Sequence, residues 1–304
     1  MLANFFGKSK PVNFIFILGL FFGYSFLAFY NHQTNFSFIK IGGIITAFLI
    51  VFFLYNFIVL KNNLTFDNSY AFLLFVFYLG FFPSIFFDLK TLLIFILILF
   101  GSRKIYSLKS ESSVFQKLFD AGFWLGITYI VEPFSVVYFV LLYSAIYLYG
   151  KLAIQTLIIP IVGFVTPLIL YFTYNFGNDT LSNFSELFYW VTTYDFSELN
   201  KNYYKIPGLI ILFLGIISLI IKTPKALSIN NSFKRSWILL IFNLIVATAY
   251  VLFIKERNGS EMIFVLFPLS IIVANGLEMI EKKWLKETFL VSLLACSIVF
   301  SLIY

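Results

Sequence analysis

The sequence predicts an all-α fold: a polytopic transmembrane helical bundle of about eleven spans, with short broken spans and one amphipathic helix on the outer surface. Three observations predict it. The 304 residues are 61% hydrophobic, 22% aromatic and only 12% charged, whereas a soluble domain carries about 25% charged residues. The 43 phenylalanines exceed what one soluble core of this size would hide, so lipid is their expected solvent. Finally, most Lys and Arg fall on one side once the apolar runs are threaded back and forth.

A span needs about 20 apolar residues. On that rule the segments are 12–30, 39–60, 70–87, 89–101, 118–131, 134–150, 152–175, 207–221, 237–254, 262–280 and 288–304. The first follows Lys8 and Lys10 as a signal peptide would. It is long, rich in Phe and lacks a small-x-small exit before Asn31, so it is read as an uncleaved first span. The segment at 89–101 is short, and so are the two on either side of Glu132-Pro133, in LFDAGFWLGITYIVEPFSVVYFVLLYSAIYLYG. Short spans thin the bilayer or line a water-filled cavity.

Glu132-Pro133 decides the threading. With the chain reversing there and the N-terminus inside, fifteen Lys and Arg lie inside and six outside; fused into one span, the division is eleven against ten. Cytoplasmic loops carry the excess of Lys and Arg, and proline disrupts the helix locally. The reversal is therefore preferred. The chain reads as one integral membrane domain, residues 1–304, in a bacterial inner membrane with a cytoplasmic N-terminus; heavy use of Phe, Ile, Asn and Lys fits an AT-rich genome.

This threading gathers 31–38, 88–90, Glu132, 176–206 and 255–261 on the outer face. In 176–206, Leu181, Phe184, Leu187, Phe188 and Val191 recur at helical spacing, and Asn183 with Glu186 suggests a capping box. Trp190, Tyr194, Tyr203 and Tyr204 are rings of the kind found at headgroup depth. The basic balance belongs to the membrane loops rather than to a nucleic-acid footprint. The single cysteine, Cys296, excludes a disulfide within the chain. There is no Gly-rich phosphate loop, no HExxH and no soluble domain.

Ionisable residues at membrane depth are candidates for function. Glu132 reads either as a loop carboxylate bound to backbone N–H groups beside the proline or as a carboxylate at the mouth of an outward cavity. Asp88 and Lys90 mark a tight connection, FFDLK, or border a recessed cavity beside a short span. Lys255-Glu256-Arg257-Asn258-Gly259-Ser260-Glu261 is either a solvated turn or a phosphate site, Arg257 being suited to bidentate contact. His32, the sole histidine, is an exposed turn residue or a general base near neutral pH. Asp120 is expected to cap its helix.

The 118–150 segment resembles a Gly-punctuated span of the glycosyltransferase-C (GT-C) superfamily that ends at a charged residue and proline. FFDLKTLLIFILILFGSRKIYSL is similar to its acidic turn, short span and basic inner loop, and GSEMIFVLFPLSIIVANGLEMI to its late span. The likeness covers about half of the chain, which as a whole also looks like an uncharacterised family of bacterial integral membrane proteins. The resemblance implies transfer of a sugar from a polyprenyl-phosphate donor on the outer face. That superfamily carries an acid in its first outer loop, and Asn31–Phe38 has none. Either the base role then falls to Asp88, Glu132 or His32, with Lys90, Lys255, Arg257 and Glu261 binding the substrate, or the fold remains without the reaction. No cofactor or metal ligand is assigned. Membrane lipid is one expected partner; other membrane proteins are expected on a competing reading, a non-catalytic subunit or scaffold of a cell-envelope complex.

Overall fold

The structure, a computed structural model, describes residues 1–31, 38–189, 201–228, 231–254 and 257–303. Every regular element among them is helical: α1 (Leu2–Phe6), α2 (Pro11–Asn31), α3 (Phe38–Lys61), α4 (Tyr70–Leu79), α5 (Leu89–Ser107), α6 (Val114–Val131), α7 (Tyr138–Leu148), α8 (Ile154–Gly177), α9 (Leu181–Glu186), α10 (Asn202–Ser228), α11 (Asn231–Phe253), α12 (Met262–Glu278) and α13 (Lys283–Ile303), with 3-10 turns at Pro83–Phe86 and Pro133–Val137. Six of them (α2, α3, α8, α10, α11 and α13) are long and apolar enough to cross a membrane, which fits a multi-pass membrane protein in contact with lipid. The exposed hydroxyls of Thr46, Thr166, Thr173 and Thr288 each bond a carbonyl four residues back in their own helix. A lipid-facing helix has to satisfy its polar atoms internally in this way.

One expectation about the spans changes. The run 70–87 is not one helix: α4 stops at Leu79, and a 3-10 turn opens at Pro83. Proline's missing N–H and ring prevent continuation. At Gly80 a Cβ would lie 2.9 Å from the Tyr24 ring, so only glycine admits α2 that close. At ten residues, α4 rises only about 15 Å, roughly half the hydrocarbon thickness. It is nevertheless buried at every position, and α12, which packs against it, is buried from Ile263 to Leu277. Protein, not lipid, surrounds these helices.

Backbone contacts divide the chain into two compact units. One comprises Met1–Leu92, Asp195–Lys234 and Arg257–Tyr304; the other comprises Leu93–Tyr194 and Arg235–Glu256. The first is an aromatic core: Tyr55 stacks on Phe75 at 4.7 Å, and Phe21 meets Phe48 and Phe52 within 4.9 Å. Buried tyrosines find partners there, Tyr24 with Ser297 Oγ at 2.6 Å and Tyr55 with Ser270 Oγ at 2.7 Å. Its connections sort into two ends. At one end, Glu287 accepts the N–H groups of Leu2 and Ala3, and Glu278 binds Phe66, Asn68 and Lys222. At the other, Asn31 donates to Ser301, Asp88 meets Asn258 and Ser260, and Tyr204 meets Asn258.

In the second unit the helix ends where the sequence places the break. Val131 closes α6, Glu132 is extended (φ −146°), and Pro133 opens the turn into α7. The chain then comes back, because Lys151 after α7 pairs with Glu111 ahead of α6. The next helix, α8, runs parallel to α6. A Cβ on Gly122 would sit 2.1 Å from the Pro160 carbonyl oxygen, one on Gly126 2.4 Å from that of Phe164, and one on Gly163 2.2 Å from that of Phe119. Small residues let membrane helices approach to backbone contact.

Three local expectations are corrected. Asp120 does not cap α6; it lies in the second turn and pairs with Lys104 at 2.6 Å. The 176–206 helix begins at Leu181 after Thr180, so Asn183 is internal and forms no capping box. That helix leans on α8 through Phe184, whose ring lies 5.1 Å from Phe172, while Val191, Trp190 and Tyr194 fall outside the described residues. Finally, Tyr203 and Tyr204 open α10, and Tyr204 is buried.

Candidate functional site

The first unit brings two separated stretches together, 88–91 and 257–261. Asp88 precedes α5 and accepts the Thr91 N–H on Oδ1 (3.0 Å) and the Thr91 hydroxyl on Oδ2 (2.7 Å). This is helix N-capping, in which a side-chain oxygen satisfies an orphan amide. The same Oδ2 accepts Asn258 Nδ2 at 3.2 Å and lies 2.8 Å from Ser260 Oγ. The Ser260 hydroxyl is also 2.5 Å from Asn258 Oδ1, so its one hydrogen is shared between two acceptors. Burial alone would raise the Asp88 carboxyl, but the donors from Thr91, Ser260 and Asn258 more than offset it and hold it below the usual carboxylate range.

The turn 257–261 has little freedom. Gly259 sits at φ +87°, and a Cβ there would meet the Tyr204 ring at 2.3 Å. Tyr204 stacks on Phe82 and donates its hydroxyl to the Asn258 carbonyl at 2.7 Å. The Asn258 N–H bonds Glu261 Oε2 at 3.2 Å. Glu261 stands ahead of α12 and is fully buried. Burial raises its carboxyl; backbone N–H groups of 258, 259 and 261 and the Arg257 charge lower it again, without restoring the ordinary value.

Chemically, Asp88 serves as a structural carboxylate and a poor base, because its lone pairs are occupied. Asp88→Ala is expected to cost about 0.5–2 kcal/mol at neutral pH, the usual worth of a cap. Since the folded-state pKa is depressed, that stability is present above the ordinary aspartate range and lost as pH falls through the lowered value. Thermal melts of wild type and variant should therefore converge in acid.

The comparisons with known proteins bear on the whole chain. The description of DUF6427, a family of unknown function, covers residues 1–304. The chain belongs to that family. No curated protein and no solved structure matches it.

Of the other sequence candidates of this DUF6427 chain, Lys90 and Arg257 adjoin the cluster and Glu132 lies elsewhere. Glu132, in the second unit, is buried between α6 and its 3-10 turn. Lys90 is exposed in the first turn of α5, and Arg257 is half-buried. His32 and Lys255 fall outside the described residues. Among the described residues, no group of three or more His, Cys, Asp or Glu side chains gathers to hold a metal.

Sequence reasoning missed several members of the cluster. Asp88-Leu-Lys-Thr91 and Asn258-Gly259 carry readable cap and turn signals, but nothing local marks Tyr204. It also missed a buried ion pair at the far end of α12. Lys222, wholly enclosed, lies 3.0 Å from Glu278 Oε2 and over the rings of Phe66 (4.7 Å) and Phe233 (5.4 Å). In sequence Lys222 looks like an ordinary loop residue and Glu278 falls near the end of the 262–280 run, and nothing local pairs them.

Proposed function

We propose that this DUF6427 chain is a bacterial inner-membrane protein, with about eleven crossings and a cytoplasmic N-terminus, that handles a polyprenyl-phosphate-linked sugar on its outer face. One observation carries this reading: Asp88, Arg257, Asn258, Ser260 and Glu261, which the threading assigns to the outer face, share one end of the first unit. Arg257, with Lys255 beside it in sequence, supplies positive charge for a phosphate. Glu261, fully buried, anchors the turn from within rather than meeting the substrate directly, Asp88 fixes the same turn, and Lys90 borders it. Glu132 of the second unit and His32 are the remaining bases this reading offers. Support for the threading comes from the first unit, where the described connections pair with others assigned to the same face.

A second reading, a non-catalytic envelope subunit or scaffold, is favoured by the occupied carboxylate of Asp88. The full chain, extracted in lipid nanodiscs and analysed by mass spectrometry, separates the two. Polyprenyl phosphate is expected to co-purify with wild type and to fall at least several-fold with Arg257→Ala. A stoichiometric protein partner without polyprenyl lipid would overturn the first reading and support the second.

A further inference from the structure

Glu261 is held in a way that suits a carboxylic acid better than a carboxylate. Its side chain is fully enclosed. Oε2 accepts the Asn258 N–H at 3.2 Å, the N–H groups of Gly259 and Glu261 only partly offset the burial, and Oε1, also buried, has no hydrogen-bond partner among the described residues. A desolvated charge left partly unpaired is costly; the neutral acid is far less so. The start of α12 favours negative charge by its dipole, but that effect is modest and short-ranged. The titratable and charged groups around Glu261 are Arg257 in its own turn, Tyr204 from α10, and Asp88, which reaches it through Asn258 and Ser260. Lys255 and Glu256 precede Arg257 and lie outside the described residues. Arg257 only partly offsets burial.

The geometry points to Glu261 as a proton-binding site: with the turn 257–261 docked, Glu261 carries a proton, and losing that proton releases the turn from Asp88 and Tyr204. Release follows from how the turn is tied. Asn258 alone connects three elements, its N–H to Glu261, its carbonyl to Tyr204 and its side-chain amide to Asp88. Gly259 has the Tyr204 ring where a Cβ would be, so the turn has no room to shift piecemeal. An ionised Glu261 must draw Arg257 inward or open to water, and either motion carries Asn258 with it. The turn therefore undocks as pH rises through the elevated Glu261 value, opposite in sign to the acid sensitivity of Asp88. This inference is independent of which ligand the site takes, so it survives failure of the lipid-linked sugar reading.

The test uses the full-length chain in nanodiscs. Infrared difference spectra on pH titration should show the carbonyl band of a protonated carboxyl persisting above the ordinary glutamate range, shifted in D₂O, absent in Glu261→Gln and retained in Asp88→Asn. Hydrogen exchange, corrected for intrinsic rate, should show amides 258–261 losing at least tenfold in protection as the band disappears. Glu261→Gln, a neutral mimic, should hold protection constant across the same range. A missing wild-type band, a band that persists in Glu261→Gln, or an unchanged exchange profile would each overturn the proposal. Should Glu261→Gln fail to fold, the wild-type band and its coincidence with the loss of protection still decide the matter.

Discussion

Substituting alanine for Gly122 or Gly163 is expected to destabilise the second unit by about 3 kcal/mol or more, the upper end of overpacking penalties. The neighbour in each case is a backbone carbonyl, of Pro160 against Gly122 and of Phe119 against Gly163. A flexible side chain could swing aside; a helix backbone has to move as a body, and α6 and α8 touch along this seam. Denaturant titration in mixed micelles, followed by fluorescence of Trp124, which stacks on Phe100 in the same unit, reads the loss. The control is Gly42→Ala or Gly43→Ala in α3, where a Cβ would meet nothing within 4 Å. There the better helix former should add roughly 0.5–1 kcal/mol. Equal losses at all four positions would show that the seam is not what the α6 and α8 glycines serve.

Glu278→Ala should be the costliest change in the first unit, about 3–5 kcal/mol, the penalty for breaking a buried pair from one side. Its carboxylate serves three donors at once: Lys222 Nζ at 3.0 Å, Asn68 Nδ2 at 2.7 Å and the Phe66 N–H at 2.8 Å. Alanine strands all three, one of them a wholly buried ammonium. Lys222→Met should cost less, because the carboxylate keeps two donors and the methionine stem fills the space between Phe66 and Phe233. Stability curves of the two variants test the order; a larger loss for Lys222→Met would show that the ammonium, not the carboxylate, organises the end.

Much of the helical layout is legible because apolar runs of span length leave few other solutions. Glu132-Pro133 is the clearest case, since local chemistry and charge asymmetry agree on a break. The 70–87 run misled because hydropathy does not see a backbone kept in protein: Gly80 and Pro83 end α4, yet the residues beyond stay apolar. Helix starts were misread by a few residues at Asp120 and Asn183, where capping residues occur inside a helix as well as at its end. The Asp88 cluster was legible as charges and not as geometry. That Ser260 and Asn258 reach Asp88 is a contact across about 170 positions, and no local pattern encodes it.

The parallel seam of α6 and α8 has a consequence for biogenesis. Parallel helices that are not adjacent in sequence cannot form a hairpin on emergence; α7 must be made before α8 can reach α6. Until Pro160 and Gly163 leave the ribosome, the groove at Gly122 and Gly126 lacks the helix that fills it. Nascent chains halted before Ile154 would thus display an open, glycine-lined notch to whatever escorts them.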